Sequence, residues 1–74
     1  MAHLKVESDL AGTVWQLAAG LGDTLAEGDP ILILESMKME IPVESPCAAR
    51  LVTLHVVEGE VVREGQVLAT LDPV

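Results

Sequence analysis

The stretch Ile31-Leu32-Ile33-Leu34-Glu35-Ser36-Met37-Lys38-Met39-Glu40-Ile41-Pro42-Val43 sets an apolar, strand-like run on each side of a short turn. Strand, turn, strand is a hairpin signal, and it places Lys38 at or beside the tip. A lysine there is a reachable amine, the group that a modifying enzyme acylates. Met37 and Met39 flank it. Along a regular strand both methionines would point away from Lys38; at a turn both are expected half exposed. Thioether side chains suit adaptable recognition surfaces, so the pair reads as a recognition feature more readily than as core filling. The turn contains neither Gly nor Asn. A tight primed turn would force Met37 and Lys38 to positive φ, uncommon for such residues, and the sequence leaves the turn type open.

Outward from this hairpin the chain repeats itself. Shifted by 37 positions, the two halves align without a gap: Gly22-Asp23 falls on Gly59-Glu60, Glu27-Gly28 on Glu64-Gly65, Leu17 on Leu54, Leu25 on Val62, Ile31 on Leu68, Leu34 on Leu71 and Glu35 on Asp72. Two copies are too few for a solenoid; two similar half-domains packed about a local two-fold are the economical arrangement. The glycines mark turns between short strands. Pro30, Pro42 and Pro46 suit strand starts or edges and oppose long helices. No segment of helical length shows a 3.6-residue apolar period. The expectation is an all-β sandwich of about eight short strands. Alternation along Thr13-Val14-Trp15-Gln16-Leu17-Ala18 puts Trp15 and Leu17 on one face. They are assigned to the core together with Val52, Leu54 and Val56, where the second half repeats the pattern; Trp15 is expected to be partly buried, with its N–H wet or bonded.

Length and composition bound the remainder. Seventy-four residues, 1–74, make one domain, half of them apolar. Phe and Tyr are absent and Trp15 is the only aromatic, so Val, Leu, Ile and Ala must fill the core. Cys47, the single cysteine, has no partner for an internal disulfide, which fits a reducing cytosol, and it reads as a small hydrophobe rather than a nucleophile. No apolar run approaches membrane-spanning length, and Met1-Ala2-His3-Leu4-Lys5 has no signal-peptide pattern, so a cytoplasmic, non-membrane protein is expected. A net charge of −8 argues against nucleic-acid binding and favours a soluble, self-repelling monomer. His3 and His55 lie far apart with no second ligand pattern, so no metal site is expected. No catalytic constellation of any kind is present.

The Met37-Lys38-Met39 run, the Gly22-Asp23…Glu27-Gly28 turns and the Glu58-Gly59…Glu64-Gly65 turns together resemble the biotinyl domain of biotin carboxyl carrier proteins, in the biotin/lipoyl attachment superfamily. The resemblance spans about Val6 to Leu71. It implies a flattened β-barrel of two four-stranded sheets with quasi-two-fold symmetry, the attachment hairpin and the termini at opposite ends. It implies covalent biotin on Lys38, with Met37 and Met39 as flanking recognition residues and Glu35 and Ser36 completing the motif. The implied partners are a biotin protein ligase, a biotin carboxylase and a carboxyltransferase of a carboxylase whose acceptor is most often an acyl-CoA. The family usually has glycine where Ala49 stands. The amine must attack an activated biotin carboxyl, which this chain does not supply, so loading requires an enzyme. Two other readings share this fold: a lipoyl carrier, whose motif usually reads Asp-Lys-Ala in place of Met37-Lys38-Met39, and an unmodified assembly module, which usually lacks the hairpin lysine.

Overall fold

The computed structural model describes residues 3–74. Met1 and Ala2, the start of the segment without a signal-peptide pattern, lie outside the described residues. Among those described, eight strands follow in order: β1 (Leu4–Glu7), β2 (Gly12–Leu17), β3 (Thr24–Leu25), β4 (Pro30–Ser36), β5 (Met39–Glu44), β6 (Ala49–Leu54), β7 (Val61–Val62) and β8 (Val67–Pro73). They form two antiparallel four-stranded sheets, β1-β8-β6-β3 and β5-β4-β2-β7. No helix is present among them, in line with the close-spaced glycine turns and the missing helical period. Pro42 falls in β5, an edge strand, where its missing N–H costs no ladder bond.

The 37-residue repeat is written into the pairing. Leu4↔Leu71 in one sheet matches Ile41↔Leu34 in the other, and Arg50↔Asp72 matches Thr13↔Glu35. Ala49↔Leu25 likewise matches Gly12↔Val62. The turns match too: Gly22 N–H donates to the Leu51 carbonyl as Gly59 N–H donates to that of Val14, at 2.8 and 2.7 Å. These two glycines sit at φ +87° and +90°, a region closed to most L side chains. The two halves are therefore one supersecondary unit used twice, and each sheet mixes strands from both.

The core differs from the alternation reading in parity. Trp15 is 47% exposed, while Val14 is 1% exposed and takes the inward place; Val52 is half-buried and Leu51 faces in. The cause is a bulge at matching sites. Val14 pairs with Leu34 and Gln16 with Ile33, so Trp15 is the extra residue of β2; Leu51 pairs with Leu71 and Thr53 with Thr70, so Val52 is the extra residue of β6. A bulge shifts the strand's phase by one residue and turns inside to outside. Leu17 and Leu54, past the bulges, pack against the core as expected, and Val56 is buried. A second matched pair of irregularities falls at Ile31 and Leu68, which explains how the neighbours Ile31-Leu32 and Leu68-Ala69 can all be fully buried. Among the described residues the buried hydrophobics are Val, Leu, Ile and Ala alone, each Leu or Ile worth about 1.5–3 kcal/mol of transfer free energy.

One half-to-half difference has a local cause. Gly12 opens β2, and a Cβ on it would lie 2.8 Å from the Glu35 carbonyl oxygen and 3.3 Å from Leu10 Cδ1. Its counterpart Ala49 accommodates a Cβ and is fully buried. The backbone therefore closes more tightly beside the β4–β5 hairpin than at the equivalent place in the other half.

The molecule is elongated, 36 × 18 × 17 Å. β6 starts beside Pro73 and ends at Leu54; after residues 55–58 the chain reaches Gly59, bonded to Val14 in the hairpin sheet. This crossover sets the far end of β6 beside the hairpin end of β2, so that the β4–β5 tip and Pro73 lie at opposite ends.

Candidate functional site: the β4–β5 hairpin tip

β4 and β5 pair from Pro30↔Glu44 to Ser36↔Met39, which leaves Met37 and Lys38 as a two-residue loop. Both have positive φ, +52° and +65°, the signature of a type I′ turn, whose twist matches that of the strands it joins. The chain adopts this turn without the Asn or Gly that usually makes it easy. The strand pairing below dictates the geometry, and the tip residues bear roughly 1–2 kcal/mol each of left-handed backbone cost.

The turn projects its side chains into solvent. Met37 is 92% exposed, well beyond the half exposure expected, and Met39 63%, close to it. Lys38 is exposed, and among the described residues it makes no ion pair or side-chain hydrogen bond. Glu35 and Glu40 stand directly opposite one another one step below the turn, both exposed. Like charges at paired positions are unfavourable in an antiparallel ladder. Ser36, paired to Met39, is half-buried. The structure thus gathers Glu35, Ser36, Met37, Lys38 and Met39 on one tip.

The chemistry of this site is that of a presented amine. Below it, a groove of about 300 Å³ runs between the edge strands β1 and β5, walled by Val6, Leu10, Leu34, Ile41 and Val43 with carboxylates of Glu7, Asp9 and Glu44. Its residues include no nucleophile with a base. The tip offers a single nucleophile on a rigid support, open from several directions, which suits covalent attachment of a group that must then be visited by large partners. The sequence located this lysine. It did not reveal the outward turn of Trp15, which the bulge sets on the outer face of the hairpin's own sheet.

The family model for biotin/lipoyl attachment domains, described as "biotin-requiring enzyme", matches residues 6–71. The biotin/lipoyl attachment protein of Bacillus subtilis is 37% identical over 68 residues, covering 92% of this chain and 93% of that one. The biotin carboxyl carrier protein of Streptococcus mutans is 36% identical over 62 residues, 84% of this chain and 48% of that protein. Among solved structures, a single-chain, multi-domain long-chain acyl-CoA carboxylase superposes with a TM-score of 0.92 at 32% identity, covering 97% of this chain and 7% of the carboxylase. This chain thus spans nearly the whole of one relative, about half of a second and a small module of the third. With the repeat, the two sheets and the lysine tip in place, the conclusion follows that this chain belongs to the biotin/lipoyl attachment family, whose domains are carriers and not catalysts.

Proposed function

We propose that this chain is a biotin carboxyl carrier, loaded with biotin as an amide on Lys38, and that it serves a biotin-dependent carboxylase acting on an acyl-CoA. The observation that supports this reading most directly is the exposed Lys38 amine on a type I′ tip between two exposed methionines. Loading is an acyl transfer. The ammonium first gives up one proton; the neutral Nζ then attacks an activated biotin carboxyl, the C–N bond forms, the activating group departs with the electron pair of its bond to the carbonyl carbon, and Nζ releases a second proton and keeps one N–H in the amide. The domain's net charge moves from −8 to −9.

The tip residues fit a covalently held biotin: among the described residues Lys38 makes no ion pair or side-chain hydrogen bond, and it is exposed. So held, biotin supplies a ureido nitrogen that takes a carboxyl group at a biotin carboxylase and gives it up at a carboxyltransferase. The protein's own part is mechanical. The two sheets hold the tip at one end of the long axis, the primed turn fixes the direction of Lys38, and tethering keeps the effective concentration high at both enzymes. Biotin protein ligase, biotin carboxylase and carboxyltransferase are the partners of this reading.

The test is Lys38→Arg, co-expressed with a biotin protein ligase. The variant should fold as the parent does, by circular dichroism and melting temperature, and show no avidin-detectable label. Label on the variant would place the attachment elsewhere and overturn the assignment.

A further inference from the structure

Because the two halves share one backbone, each outward position of one sheet has a counterpart on the other, and differences between counterparts are not required by the fold. The outer face of β1-β8-β6-β3 is polar. Lys5, Thr70, Asp72, Arg50, Thr53 and Thr24 occupy it; Arg50 pairs with Asp72 at 3.5 Å and His55 Nε2 shares a 2.7 Å hydrogen bond with Thr70 Oγ1. At the same places the hairpin's sheet carries Pro42, Ile33, Glu35, Thr13, Gln16 and Val61. Trp15 replaces Val52 as the bulged residue. The ion pair of one face becomes Thr13 and Glu35, which cannot pair. Trp15 is 47% exposed and Val61 73%, and Val61 sits opposite Thr13, on the diagonal to Trp15, within reach of a large side chain.

This apolar face adjoins the tip. Val61, Thr13, Glu35 and Glu40 form one row across β7, β2, β4 and β5, immediately below the Ser36↔Met39 pair that closes the turn. The face therefore ends one row below the turn that carries exposed Met37, with Thr13, Glu35 and Glu40 between; Met39, paired with Ser36, lies on the other side of the sheet.

We propose that the outer face of β5-β4-β2-β7 seats the enzyme that acylates Lys38, a biotin protein ligase that covers Trp15, Ile33 and Val61 with an apolar patch of its own. The proposal rests on Lys38 as the biotinylation site. Reach selects this partner over the carboxylase enzymes. The free amine reacts at the end of its own four-carbon stem, so the acylating enzyme must press its active site against the tip and lie against the sheet beside it. Enzymes that act on the ring of a bound cofactor meet it a full side-chain length further out and do not need this face. The face's two carboxylates, Glu35 and Glu40, and its lack of a cation among the described residues set the complementary surface as apolar with basic flanks.

The experiment exchanges one face for the other. The variant Trp15→Val/Ile33→Thr/Val61→Thr installs the residues that the equivalent positions 52, 70 and 24 already hold, so the shared backbone tolerates them; Met37, Lys38 and Met39 are untouched. The mirror variant Val52→Trp/Thr70→Ile/Thr24→Val adds the same side chains to the other sheet. Both are compared with the parent as substrates of a biotin protein ligase with biotin and ATP, with thermal melts alongside. The first variant should lose about tenfold or more in kcat/KM, mainly through KM, while the mirror variant matches the parent. If the triple variant melts below the assay temperature, Val61→Thr alone should still lower kcat/KM several-fold, because its side chain is largely exposed. Parental kcat/KM in a folded variant overturns the docking face while leaving Lys38 in place. A parent that the ligase does not biotinylate overturns the Lys38 reading and this inference together.

Discussion

Replacing Met37 by asparagine should make the protein more stable and a poorer carrier. Met37 stands at φ +52° in the first position of a type I′ turn, where asparagine is among the preferred residues. A side chain with a Cβ pays roughly 1–2 kcal/mol for the left-handed conformation, and asparagine recovers much of that through local hydrogen bonding. Nothing is lost in burial, since Met37 is 92% exposed and therefore contributes almost no transfer free energy. The expected gain is about 1 kcal/mol, which in a domain of this size raises Tm by about 4–8 °C. Thermal unfolding followed by circular dichroism, with calorimetry for the enthalpy, measures it; ligase turnover on the same samples should fall. An unchanged or lowered Tm would refute the reasoning, because it would mean that the tip is unstrained or that Met37 makes a stabilising contact.

Two further outcomes follow from the same geometry. Gly12→Ala should cost about 1–3 kcal/mol, because the Glu35 carbonyl that its Cβ would meet at 2.8 Å is backbone and cannot swing aside; a lower urea midpoint at unchanged m-value shows it, and a parental midpoint would mean that β2 and β4 part freely. Met37→Asp/Met39→Ala should remain folded, lose about tenfold or more in biotinylation against the parent in one tube, and gain some lipoylation, since an unpaired charge in a pocket shaped for thioethers costs about 1–3 kcal/mol or more; equal rates would show that the ligase does not read these methionines.

Much of this architecture was legible in the chain. The 37-residue self-match predicted two equivalent halves, and each strand pair found in one sheet has its partner in the other. The glycine turns and the apolar runs beside Met37-Lys38-Met39 placed the hairpin. The core was less legible at Trp15 and Val52, because alternation counts residues and a bulge adds one. The turn at Met37-Lys38 could not be read locally, because its conformation is imposed by the ladder beneath it against the preference of its own residues. The repeat already matches Trp15 to Val52 and Thr24 to Val61; the contrast between the two outer faces needed the register and its bulges, which turn Trp15 outward and set Val61 on the diagonal to it.

The central claim, that Lys38 carries biotin, is tested most directly by intact mass of the protein purified from its native host, followed by peptide mapping of residues 31–50. The account predicts one species heavier than the bare chain by a single biotinyl amide, with the added mass on Lys38. A lipoyl mass, an unmodified chain, or biotin on any other residue would contradict it.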